Sequence, residues 1–196
     1  MTRVTAKEKI INSTLDVMEG RGYRAVSVDE IISHAGVSKG SFYHSFKSKE
    51  ELAMQALEEY ERRGTEIIQS GSYRNIEDPV LRAIAFVQYI EDKSTELWEH
   101  GCLLGSVALE VAESHPKLLQ KIDDLFEEFE RGVATIFTPA LRARKVRKVT
   151  GKDLSRHFLA VIEGAIVTAK THGNQEFLSQ GIGHFKRYLE YLLEGR

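Results

Sequence analysis

Apolar residues along this chain recur at every third or fourth position rather than every second, so the pattern predicts an all-α fold of about nine helices. The first helix is expected from about Ala6 to Glu19, with Ile10, Ile11, Thr14, Leu15 and Met18 turned inward and Gly20 and Gly22 stopping it. Ser27 and Glu30 form an S-x-x-E pair that opens a second helix, along which Val28, Ile31, Ile32 and Ala35 make one apolar stripe. Gly36 ends that helix, because glycine enters the left-handed cap without steric cost. Ser38 then caps a third short helix, with Phe42 and Phe46 four apart on its buried face. Two short helices around a tight glycine turn read as a helix-turn-helix.

The remaining stripes are longer. Ser48 and Glu51 repeat the capping pair, and a fourth helix from Lys49 carries Leu52, Ala53, Ala56, Leu57 and Tyr60 before ending near Ser70. Its stripe starts against the first three helices and continues beyond them, which makes it a mechanical link. A fifth helix, Asp78 to about Trp98, has Pro79 in its first turn and apolar residues on more than one side, so it is expected at the centre of a larger domain. After Gly101, Leu104, Val107, Ala108 and Val111 form a short stripe. His115-Pro116 separates it from a long helix that Pro139 should limit. Thr150 and Asp153 cap a helix to about His172, and Asn174 caps the last, to about Glu194. Residues 1–48 therefore form one domain, and 49–196 a link plus a larger helical domain. The last two helices carry more apolar surface than one core needs. Small residues at Gly164, Ala165, Gly181 and Gly183 permit close approach, and together these predict a homodimer through a four-helix interface, two helices from each protomer.

Chemistry enters with the third helix. Lys39, Gly40, Ser41, Tyr43 and His44 occupy its outer side and first turns: donors for phosphate oxygens, a lysine able to reach guanine N7 and O6, and a glycine that lets the backbone approach a groove. Ser27 and Ser38 at the helix starts, with Lys47 and Lys49 at the amino end of the fourth helix, complete the candidate DNA contacts. Charge agrees. The chain is near neutral at −2, but eight Lys/Arg stand against five Asp/Glu through Lys49, or +3, leaving 19 against 24, or −5, beyond it. The five basic residues of Arg142 to Lys148 read instead as a solvated connection between helices.

A single cysteine, Cys102, fits a reducing compartment, and neither a leader pattern nor a long apolar run suggests export or a membrane, so a cytoplasmic protein is expected. The seven histidines are scattered, and there is no phosphate-binding glycine loop, H-E-x-x-H or G-x-S-x-G. No enzyme, cofactor or metal site is expected; His100 and Cys102 lack further ligands nearby. Cys102 follows Gly101 at an expected helix start, where the dipole lowers a thiol pKa, so it is either a reactive or a structural thiol.

The stretch GVSKGSFYHSFKSKEEL resembles the DNA-binding domain of the TetR family of bacterial regulators, written close to G-V-S-x-G-x-x-Y-x-H-F-x-x-K-x-x-L. Gly36, Val37, Ser38, Gly40, Tyr43, Phe46, Lys49 and Leu52 meet the pattern; Ser45 departs from it, with His44 one position earlier. The resemblance implies a repressor that binds double-stranded operator DNA as a homodimer through its last two helices and is released by a small-molecule inducer. It also implies an inducer cavity, for which Phe86, Tyr89, Trp98, Cys102, Phe126, Phe129 and Phe158 are the candidates, although such aromatics also make ordinary core. GCLLGSVALEVAE and GAIVTAK resemble family members that sense electrophiles or oxidants through a thiol. That version makes Cys102 the target and Lys170 the nearby cation.

Overall fold

Each apolar stripe becomes a helix in the computed structural model, which describes residues 4–194. In chain order these are α1 (Ala6–Arg21), α2 (Val28–Ala35), α3 (Lys39–Ser45), α4 (Lys49–Gln69), α5 (Pro79–Trp98), α6 (Leu103–Val111), α7 (Pro116–Ala143), α8 (Gly151–His172) and α9 (Glu176–Glu194). A 3-10 turn at Ser72–Asn75, which no periodicity announces, seats the buried Tyr73. Among the described residues there is no strand, and no helix is long and apolar enough to cross a membrane.

The chain forms two units. One runs to Arg63 and adds Cys102–Leu125; the other takes Gly64–Gly101 and Phe126 onward. α4 and α7 contribute residues to both. In the first unit, α1, α2 and α3 bury Ile10, Leu15, Met18, Ile31, Phe42 and Phe46, and α4 adds Leu52, Ala53, Ala56 and Leu57. From α6 come Leu103, Leu104, Val107 and Val111. Burying such side chains stabilises by roughly 1.5–3 kcal/mol each.

The second unit is built on phenylalanine. Phe158 packs in a tilted contact on Phe185 with ring centroids 4.6 Å apart, and edge-to-face on Phe86 at 5.9 Å and on Phe137 at 6.1 Å. α9 packs on both α8 and α5. Across the α5–α9 contact the half-buried Lys186 ammonium donates to Glu91 Oε2 at 3.1 Å and also to Gln88.

The structure departs from the sequence expectations in three places. α7 passes through Pro139 and ends at Ala143. Proline removes one amide and leaves the Thr135 carbonyl without its helical donor, but Thr135 and Pro139 are exposed and Pro139 is about one turn from the end, so the loss is tolerated there. α5 buries one broad face, Val80, Ala83, Phe86, Val87, Ile90 and Ser94, and leaves Leu81 exposed, so it is not surrounded on several sides. The small residues of α9 work within the chain. A Cβ at Gly181 would stand 2.8 Å from the Ala165 Cβ, and one at Gly183 would stand 2.9 Å from Glu91 Oε1, whereas Gly164 faces open space. The Arg142 to Lys148 run keeps its cations exposed, and Lys145, at φ 56°, closes the end of α7 as the Val146 amide donates to Leu141 O at 2.9 Å.

Candidate nucleic-acid interface

The helix-turn-helix is assembled by its caps. Ser27 Oγ accepts the Glu30 amide at 3.2 Å and so starts α2. The reciprocal arm of the box is replaced, since the Glu30 carboxylate takes Arg21 of α1 instead. Gly36 sits at φ 61°, ψ 37°, and its amide bonds back to the end of α2. Ser38 Oγ accepts the Ser41 amide at 3.1 Å and starts α3. Phe42 and Phe46 anchor α3 to the core, with centroids 5.8 Å apart, so its opposite side must face outward.

That outer side carries Ser38, Lys39, Gly40, Tyr43 and His44, all exposed; Tyr43 has 57% of its surface free although its ring edge meets Phe42 at 5.1 Å. Ser27 and Lys47 are exposed too, and Ser41 is half-buried. Of the candidate DNA contacts, Ser38, Lys39, Gly40, Ser41, Tyr43, His44 and Lys47 lie on α3 and its flanks, and Ser27 caps the start of α2.

Lys49 is half-buried at the start of α4. Its ammonium donates to the Tyr23 carbonyl at 2.6 Å and lies 4.2 Å over the Tyr23 ring, so it serves the turn between α1 and α2. Burial pushes its pKa down, with nearby Glu110 partly opposing that shift. Glu110, on α6, holds the same turn: its carboxylate accepts the amides of Tyr23 at 3.2 Å and Arg24 at 2.7 Å. Arg24 reaches Ser114 Oγ at 3.0 Å, and the Tyr23 ring meets His115 edge-on at 5.2 Å. Sequence reasoning missed Glu110, whose partners lie more than eighty residues away; the available signal was Gly22. At φ 79°, ψ 176°, Gly22 occupies a glycine-only conformation, and a Cβ there would collide with the Glu110 carboxylate, 1.9 Å from Oε1.

The candidate effector residues are spread over both units. Phe86 and Phe158 are sealed in the phenylalanine cluster, whereas Tyr89, Trp98, Phe126 and Phe129 are half-buried on α5 and α7. The Tyr89 hydroxyl donates to Ile67 O at 2.8 Å. Cys102 belongs to the first unit, where its buried thiol caps α6 by accepting the Gly105 amide at 3.4 Å. The exposed Lys170 lies over Gly101, the residue before it, such that a Cβ there would stand 2.7 Å from Nζ.

Residues 10–56 match the family described as bacterial regulatory proteins, tetR family, and residues 79–182 match the carboxy-terminal domain of LmrA/YxaF-like transcriptional regulators. The chain is a TetR-family transcriptional regulator. Similar family members include the HTH-type transcriptional repressor DhaR of Mycobacterium sp. strain GP1, 28% identical over 92% of this chain and 90% of the relative. The repressor NemR of Escherichia coli K12 is 28% identical over 86% of each, and the fold of its reduced form superposes with a TM-score of 0.74 over 93% of this chain and 96% of that one, at 24% identity. A TetR regulatory protein from Rhodobacter sphaeroides superposes with a TM-score of 0.78, 26% identical over 93% of this chain and 97% of that one.

In this TetR-family chain the Gly22 geometry gives a paired test. Gly22→Ala forces a left-handed alanine against Glu110 and should lower stability by about 1–3 kcal/mol. Gly20→Ala, inside α1 with no neighbour near the added methyl, should raise it by roughly 0.5–1 kcal/mol. Denaturant unfolding of the two variants checks the assignment through their opposite signs.

Proposed function

We propose that this regulator is a homodimeric, sequence-specific repressor that holds double-stranded operator DNA through α3 and is released by a small-molecule effector. The exposed, acid-free face of α3 carries the reading: Lys39, Gly40 and Ser41 lie at the start of the helix for base edges, with Ser27, Ser38, Tyr43, His44 and Lys47 placed for phosphates. Lys49 acts at one remove, by fixing the α1–α2 turn behind that surface. Residues 1–48 are the DNA-reading part, 49–196 the effector and dimer part, and the site of action is the cytoplasm.

Dimerisation falls to α8 and α9, where Val167 is 59% and Tyr191 61% exposed and Gly164 faces open space, an apolar face that a second copy would cover. Two recognition helices on one dimer then read two half-sites a helical turn, or a multiple of it, apart. Release follows by linkage. α4 and α7 contribute to both units, and α6 grips the α1–α2 turn through Glu110, so an effector favouring one position of these helices shifts DNA affinity by about 1–3 kcal/mol, and DNA weakens the effector equally. Half-buried Tyr89, Trp98, Phe126 and Phe129 are the aromatic surface offered to a non-covalent effector, and the fully buried Phe86 and Phe158 would join it only if their cluster opened.

A second reading is favoured by the capping position of Cys102. A thiol at a helix start is favoured as a nucleophile by the helix dipole, which suits it to an electrophile or oxidant, and Lys170 is the candidate cation of this reading. Modification of Sγ would remove the cap from α6, the helix that carries Glu110.

Three outcomes are expected. In gel shifts against duplexes selected by the wild-type protein, Tyr43→Ala and Lys47→Ala should both weaken binding, and Lys47→Ala should flatten the salt slope by about one unit; unchanged affinity in both would remove the DNA assignment. Val167→Glu strands a charge in the apolar interface, so sedimentation should report monomer where the wild type is a dimer; an intact dimer would move the interface elsewhere. Cys102→Ser should keep DNA binding and lose release by an alkylating agent. If the serine variant still releases DNA on that treatment, the aromatic surface is the effector site.

A further inference from the structure

Lys39 stands in the first turn of α3, a helix whose first turn holds no acid, so its ammonium opposes the partial positive charge of the helix start. It is steadied from the neighbouring helix. Nζ donates to Asp29 Oδ1 at 2.9 Å, joining the first turn of α2 to the first turn of α3 across the glycine turn. Both side chains remain open to solvent, 61% exposed for Lys39 and 76% for Asp29. The hydrogen bond and charge of Asp29 hold the Lys39 ammonium above its ordinary pKa. The adjacent acid, Glu30, is turned the other way, onto Arg21.

We propose that Asp29 is a positioning residue for sequence discrimination, holding Lys39 toward base edges and away from the phosphate backbone. The inference rests on Lys39 reading bases as described under the proposed function. An ammonium has three N–H donors. One can stay on Asp29 while another meets the neutral N7 and O6 of guanine, so a specific complex keeps the pair. A non-specific complex has only phosphates to offer. To reach one, Lys39 must leave Asp29 or bring that carboxylate against the polyanion, and either route weakens non-specific binding. Asp29 thereby raises the ratio of specific to non-specific affinity, the quantity that governs site selection in a genome.

The test uses the full chain and two duplexes: one enriched from a random-sequence pool by the wild-type protein, and one of the same base composition, scrambled. Asp29→Asn should raise affinity for the scrambled duplex about two- to fivefold, the range an exposed ion pair carries, and steepen its salt slope by up to about one unit. Affinity for the enriched duplex should change less, so the ratio falls. Asp29→Ala should repeat the result, and thermal melts of both variants exclude loss of the fold. Glu30→Gln removes the same charge one residue away and should leave the ratio in place. With Lys39 already changed to alanine, Asp29→Asn should have no further effect on the ratio. An unchanged ratio in Asp29→Asn, or an equal fall in Glu30→Gln, overturns the proposal. Lys39→Ala separates the two levels: if it lowers the ratio while Asp29→Asn does not, only the positioning role fails, and if it leaves the ratio unchanged, the base-reading role of Lys39 fails beneath it.

Discussion

The peptide at Tyr23 is where the first unit is tied together. Its carbonyl accepts the Lys49 ammonium from α4, its amide and the next one donate to the Glu110 carboxylate from α6, and Gly22 supplies the room. A partly buried turn has backbone groups that must find partners, and an unpaired one costs roughly 1–3 kcal/mol. Here two opposite charges supply those partners, and each charge finds a polar group in return. Local propensity gives α1, α2 and α3 their lengths; this double grip fixes the connection between α1 and α2, and with it the base on which the helix-turn-helix is presented.

What could be read from the chain follows from that distinction. Caps at Ser27, Ser38, Ser48 and Thr150 act within three residues, and stripes such as Leu52, Ala53, Ala56 and Leu57 act within two turns, so both were legible. So was the outward face of α3, because Phe42 and Phe46 leave it no other direction. Glu110 was illegible, since nothing local distinguishes it from any other helical glutamate; only the distant amides give it a role. Lys49 matched the family pattern, and periodicity could not show that its ammonium would lie over the Tyr23 ring and bond to the Tyr23 carbonyl. Gly181 and Gly183 announced close helix approach without saying which helices would approach, and the answer lies inside the chain, against Ala165 and Glu91.

The two units also differ in what holds them. The second is held by edge-to-face and tilted contacts among Phe86, Phe137, Phe158 and Phe185, a close-packed arrangement that resists gradual deformation. Besides its apolar core, the first is joined at its α1–α2 turn by hydrogen bonds and charges, Glu110 to two amides and Arg24 to Ser114, while Lys121 of α7 pairs with Glu58 of α4. Contacts of this kind are worth little singly in water, and they can be exchanged one at a time. A close-packed core resists small displacements, whereas hydrogen bonds at a partly exposed carboxylate can exchange for water, although the Tyr23 ring beside them is itself buried. Through Glu110 the polar grip at Tyr23 ties α6 to the turn that leads into α2, so the helix-turn-helix rests on contacts from outside its own three helices.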